Sequence, residues 1–120
     1  MNIEELRTYC LAKAGVTEEL PFGPETLVFK VMDKVFLLTG LTFTPFRVNL
    51  KMDPELVPEY RDKYVDVIPG YHMNKKHWNS VYMDNGTIPR KELLFMIDHS
   101  YDQVVKGLSK KMKDELNRLK

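Results

Sequence analysis

Cysteine is nearly absent: Cys10 is the only one among 120 residues. A lone thiol closes no internal disulfide and excludes a multi-cysteine zinc site, which fits a reducing compartment. Long apolar runs are missing too, and nothing approaches the ~20 residues that a bilayer-spanning helix needs. The opening MNIEELRTYC carries acids where a signal peptide has basic residues ahead of an apolar stretch. A cytoplasmic protein with no membrane partner is therefore expected. Excess charge of either sign is lacking: 18 Lys and Arg against 17 Asp and Glu leave +1, so the chain as a whole has no electrostatic mandate for nucleic acid. There is also no glycine-rich phosphate loop, since PFGPE and DNG are turn chemistry, and no cofactor is expected.

The length suits a single domain spanning residues 1–120. With 43% hydrophobic and 29% charged residues the composition is that of a soluble globular chain, which argues against disorder and fibrous order. Ile3, Leu6, Cys10 and Leu11 recur at helical spacing behind Asn2 as N-cap, and the helix is expected to stop near Gly15. Thr26–Met32 and Val35–Thr39 read as a hairpin turning at Asp33-Lys34, with Leu27, Phe29 and Val31 on one face. In FRVNLK, Phe46, Val48 and Leu50 alternate with Arg47, Asn49 and Lys51, which predicts a strand with one buried and one wet face.

Asp53-Pro54 starts a second helix with Leu56, Val57, Tyr60 and Tyr64 as its buried stripe, while Pro58 bends it or delays its regular start. A strand is expected at Trp78–Met83, before the Asp84-Asn85-Gly86 turn. From Pro89, the residues Leu93, Leu94, Ile97, Tyr101, Val104, Val105 and Leu108 trace a long helix ending near Gly107. Ser109 caps a last one in which Met112, Leu116 and Leu119 face inward. Strands cluster instead of alternating with helices, so the fold class is α+β, a mainly antiparallel sheet covered on one face by an N-terminal helix and a C-terminal helical pair.

Catalytic chemistry finds little support. His72, His77 and His99 are the only histidines, and a pair five apart in an irregular segment lacks the i, i+4 spacing and the third ligand of a zinc site, so no metal is expected. Cys10 lies on an apolar stripe and reads as core. Asp98 and His99 are helix neighbours that point in different directions, and Glu4-Glu5 and Glu18-Glu19 are adjacent, solvated acids. A non-enzymatic protein is expected.

The stretch His72–Tyr82, HMNKKHWNSVY, concentrates polar and aromatic groups. Lys75 and Lys76 can meet phosphates, Asn74 can meet a phosphate or a base edge, and Trp78 can stack on a base. Each has a plainer role: Lys76 solvated, Asn74 and Lys75 capping or bridging, and Trp78 packed under the sheet at a cost of about 3–5 kcal/mol if cut to alanine. No Asp or Glu falls between Lys34 and Met52 or between Val67 and Met83, where Lys34, Arg47, Lys51, Lys75 and Lys76 do. Either the two stretches share a positive surface, or acids merely avoid strands.

HMNKKHWNSVYMDNG followed by IPRKELLFMIDHSYDQVV resembles the MmcQ/YjbR family, through His72, Asn74, Lys75, His77, Trp78, Val81, Tyr82, Pro89, Ser100 and Tyr101. The likeness extends to ELRTYCLAKAG, VFKVMDKVFLL and NLKMDPELVPEYR, nearly the whole chain. The resemblance implies a CyaY-like α+β fold and a double-wing DNA-binding motif, two hairpin projections that straddle a duplex. One wing would carry Lys30 and Lys34 near the Asp33-Lys34 turn and the other would span Asn74–His77, with Arg47 and Lys51 on the sheet between. The expected function is weak, sequence-nonspecific contact with the DNA backbone by a monomer. The alternative is an adaptor that holds a protein or peptide on the sheet and on the His72–Trp78 segment, with an enzyme using His72 and His77 ranked last.

Overall fold

Asn2 accepts a hydrogen bond from the Glu5 backbone N–H at 2.9 Å and so opens the first helix, α1 (Ile3–Leu11), which buries Leu6 and Cys10. A computed structural model describes every residue except Phe43 and Tyr71. After α1 come strands β1 (Val16–Glu19), β2 (Thr26–Val31), β3 (Lys34–Gly40) and β4 (Arg47–Lys51), helix α2 (Leu56–Lys63), strands β5 (Val67–Pro69) and β6 (Trp78–Tyr82), and helices α3 (Arg90–Lys106) and α4 (Lys110–Leu119). The strands form one sheet in the order β1-β2-β3-β4-β6-β5, each neighbouring pair antiparallel. No helix among the described residues is long and apolar enough to cross a membrane.

Side-chain alternation sorts the sheet into two faces. Leu27, Phe29 and Val31 of β2, Leu37 of β3, Val48 and Leu50 of β4 and Val81 of β6 join one buried cluster with residues from all four helices, including Leu6, Val57, Ile97 and Leu116. No described helix packs on the other face, yet Val28, Asn49 and Ser80 in its central row are buried. An extra residue in β3 breaks the register there: Phe29 pairs with Leu37 but Lys30 pairs with Val35, leaving Phe36 as a bulge. Phe36 turns into the core, edge-on to Tyr101 of α3 with ring centroids 5.6 Å apart.

Several expectations need correction. β1 and β5 were not anticipated; both are short edge strands, one rich in acid and one ending in proline, and edges tolerate both. Arg7 (2.5 Å) and Lys30 (3.3 Å) neutralise Glu18 and Glu19 of β1. The hairpin turns at Met32-Asp33, one residue earlier than expected, with φ of 49° and 68°. Positive φ at both central residues is the turn type that matches strand twist. α1 stops at Leu11, short of Gly15. Regular α2 starts at Leu56, although the Val57 N–H already bonds to Asp53 O at 3.1 Å, so Pro58 sits in the first turn, where a missing donor is harmless. Asn49, expected on the wet face of β4, is buried with Ser80 as its hydrogen-bonded cross-strand partner. Leu119 is 61% exposed, while Met112 and Leu116 do pack inward.

Candidate nucleic-acid interface

The antiparallel registers bring three chain segments to one end of the sheet. Lys51 closes β4 opposite Trp78, which opens β6, so the 70–77 connection emerges beside the end of β4. The Met32-Asp33 turn of the β2–β3 hairpin lies at that same end, across β4. Three strand spacings separate the axes of these two connections, roughly 14 Å. Lys34 at the foot of the first, Lys51 at the end of β4, and Lys75 and Lys76 in the second are thereby brought together. The other two cations fall elsewhere. Lys30 lies on the helix-free face, paired with Glu19 instead of standing at a hairpin tip, and Arg47 occupies the far end of β4 opposite Tyr82.

The 70–77 connection is held from below. Arg61 of α2 donates through Nε to Asn79 Oδ1 (2.7 Å) and through Nη2 to the Lys75 carbonyl (2.6 Å). Asn79, fully buried, also donates through Nδ2 to the Val57 carbonyl (3.1 Å), so its amide is satisfied on both sides. Gly70 is required by proximity: a Cβ there would stand 2.9 Å from the Trp78 carbonyl oxygen. Asn74 folds the tip, its Oδ1 accepting from the Lys76 N–H (2.9 Å) and its carbonyl from the N–H groups of His77 and Trp78. His72 takes φ 57° on the way into this turn. Arg61 was not singled out in the sequence, and nothing in its spacing marks it.

Trp78 does not pack under the sheet. It shares the helix-free face with Ser80 and Tyr82, and cross-strand pairing sets Lys51 against Trp78, Asn49 against Ser80 and Arg47 against Tyr82. Both aromatic rings are half-buried and stand outside the core cluster. Glu19 is the single carboxylate among the strand positions of this face, against Lys30, Arg47 and Lys51.

The rest of the family motif is structural. Ser100 Oγ accepts from the Lys51 N–H (2.8 Å) and donates to the Phe36 carbonyl, linking the end of β4 to the bulged residue of β3. Tyr101 donates to the Ala14 carbonyl (2.7 Å). Burial pushes the Cys10 thiol up to about 12, leaving it protonated and inert. Among the described residues no three His, Cys, Asp or Glu side chains converge as a metal set.

His99 accepts from the Asp53 N–H through Nε2 at 3.1 Å, which needs the neutral ring. Burial lowers its pKa below the ordinary 6.5, against the opposing pull of Asp53 and Asp102. The unfolded chain then binds the extra proton first. This contribution is complete above pH 6.5 and is lost as pH falls through 6.5 toward the depressed value. Thermal midpoints measured from roughly pH 7.5 to 5 are expected to fall less steeply for His99→Gln than for the parent, and equal slopes would refute the assignment.

A family model described as YjbR matches residues 11–103. The Escherichia coli K12 protein YjbR is 34% identical over 119 residues, 99% of this chain and all of that one. YbdF of Escherichia coli O157:H7 is 46% identical over 92 residues, 76% of this chain and 74% of its own. Among solved structures, Deinococcus radiodurans DR2400, with its DUF419 domain, superposes with a TM-score of 0.90 at 39% identity, covering 97% of this chain and 88% of its own. A Pseudomonas syringae protein follows with a TM-score of 0.74 at 30% identity, covering 86% and 98%.

Proposed function

This chain belongs to the YjbR family, and we propose that it is a small, cytoplasmic, non-enzymatic DNA-binding protein that grips the phosphate backbone weakly and without sequence preference. The two connections at one end of the sheet act as the wings. The carrying observation is local polarisation: the whole chain is balanced at 18 cations to 17 acids, yet the strand positions of the helix-free face hold three cations against one paired carboxylate, with four lysines at one end of the sheet. Phosphate contacts of this kind position a protein without reading bases.

Counterion release makes such binding fall steeply with salt. The double variant Lys75→Ala/Lys76→Ala is expected to flatten the log–log slope by about two when a fluorescent duplex is titrated over a salt series. An unchanged slope would remove both residues from the interface. The half-buried Trp78 and Tyr82 on the helix-free face favour a second reading, an adaptor that holds a protein or peptide, whose affinity would barely respond to salt.

A further inference from the structure

We propose that the cleft between α1 and the outer edge of β1 is a docking site for an extended, basic segment of a partner protein, in which a few apolar side chains alternate with lysine or arginine. Ile3, Leu20 and Leu41 wall this cleft and Leu27 lies within it, in a volume of about 470 Å³. Past Ile3 and Leu41 it meets a second hollow of about 260 Å³ that reaches Phe46. These are sizes at which a protein surface holds a ligand or several side chains. Exposure is concentrated here: Leu20, Phe22 and Leu41 are 49%, 72% and 47% exposed, three of the seven large apolar side chains that stand open among the described residues. The Leu41 N–H bonds to the Glu25 carbonyl at 2.7 Å and Gly40 pairs with Thr26, which fixes the end of β3 against the 20–25 connection. Exposed apolar groups gathered at one corner mark a contact surface. The corner is the end of β2 and β3 away from the Met32-Asp33 turn and Lys34, so this site stands apart from the four lysines.

Charge selects the occupant. Glu4, Glu18 and Glu19 line the cleft and Asp84 lines the adjoining hollow, against Arg7 as the one cation. Arg7 is held by Glu18 at 2.5 Å, and Glu19 by Lys30 at 3.3 Å. Glu4 comes no nearer than 3.9 Å to the same guanidinium, while Asp84 and the exposed Glu25 pair with no cation among the described residues. The excess charge at the rim is negative, which favours a cationic partner. β1 ends the sheet, and no backbone group among the described residues bonds to its outer side. Such an edge is a template for an added strand, with main-chain bonds giving affinity and the cleft taking alternate side chains. A second copy of this chain fits poorly, because antiparallel pairing of β1 with itself sets Glu18 and Glu19 against their own counterparts.

The experiment pans a displayed library of random peptides of about ten residues against the full chain, then titrates the recovered peptides by fluorescence anisotropy. They are expected to combine large apolar residues with an excess of Lys and Arg. Leu41→Asp, an exposed position whose fold circular dichroism verifies, is expected to weaken them roughly tenfold or more. The double reversal Glu4→Lys/Glu25→Lys is expected to weaken them at low salt and to flatten their salt dependence. Recovery of no peptide, or of peptides that bind Leu41→Asp as well as the parent, overturns the docking site. Peptides that need Leu41 but are neutral or acidic overturn the stated partner. Sedimentation of the parent as a dimer that Leu41→Asp dissolves gives the corner to a second copy and overturns it likewise.

Discussion

Replacing Ser100 by alanine is expected to destabilise the fold by about 2–5 kcal/mol, although it removes a single oxygen atom. The Ser100 hydroxyl links the Phe36 carbonyl, left out of the ladder by the bulge, to the Lys51 N–H at the end of β4. Alanine strands both groups, and each buried polar group left without a partner costs about 1–3 kcal/mol. For a domain of this size the thermal midpoint should drop by roughly 10–20 °C. Trp78→Ala is expected to cost less, about 1–2 kcal/mol, because its ring is only half-buried and lies outside the core. Denaturant melts of the two variants test the layering. A Trp78→Ala cost above that of Ser100→Ala would put the ring under the sheet after all.

That ordering reverses what the sequence suggests, for a reason that lies in tertiary contacts. In WNSVY either the Trp-Ser-Tyr set or the Asn-Val set faces inward, and tryptophan is the more usual core residue. The structure buries Asn79 instead, because Arg61, Val57 and Met52 satisfy its amide from α2 and the segment before it. Those partners are 18 to 27 residues away in sequence and leave no periodic trace. β4 was legible because Val48 and Leu50 alternate with polar neighbours under one uniform cover of helix, and α3 because its stripe runs for 17 residues. β1 and β5 were not, being four- and three-residue edges whose acids and proline are excused only by their position in the sheet. Of the candidate interface, the cations were visible one by one. Their grouping was not, since it depends on β6 pairing with β4 across a helix and a strand that intervene in the chain.

That grouping makes the salt dependence divisible. Lys34, Lys51, Lys75 and Lys76 lie at one end of the sheet, whereas Arg47 is at the far end of β4 and Lys30 is held by Glu19. Four phosphates neutralised at about 0.9 each give a slope of about 3.6, which over a rise from 50 to 200 mM salt amounts to roughly 150-fold in affinity. The variant with all four lysines changed to alanine is expected to lose this share of the salt response and nearly all duplex binding at moderate salt. Arg47→Ala alone should lower the slope by no more than about one. The measurement is the same salt series on a fluorescent duplex. If the four-lysine variant keeps the parental slope while Arg47→Ala and Lys30→Ala flatten it, the phosphates lie along the sheet, and the two connections at its end describe a shape without a grip.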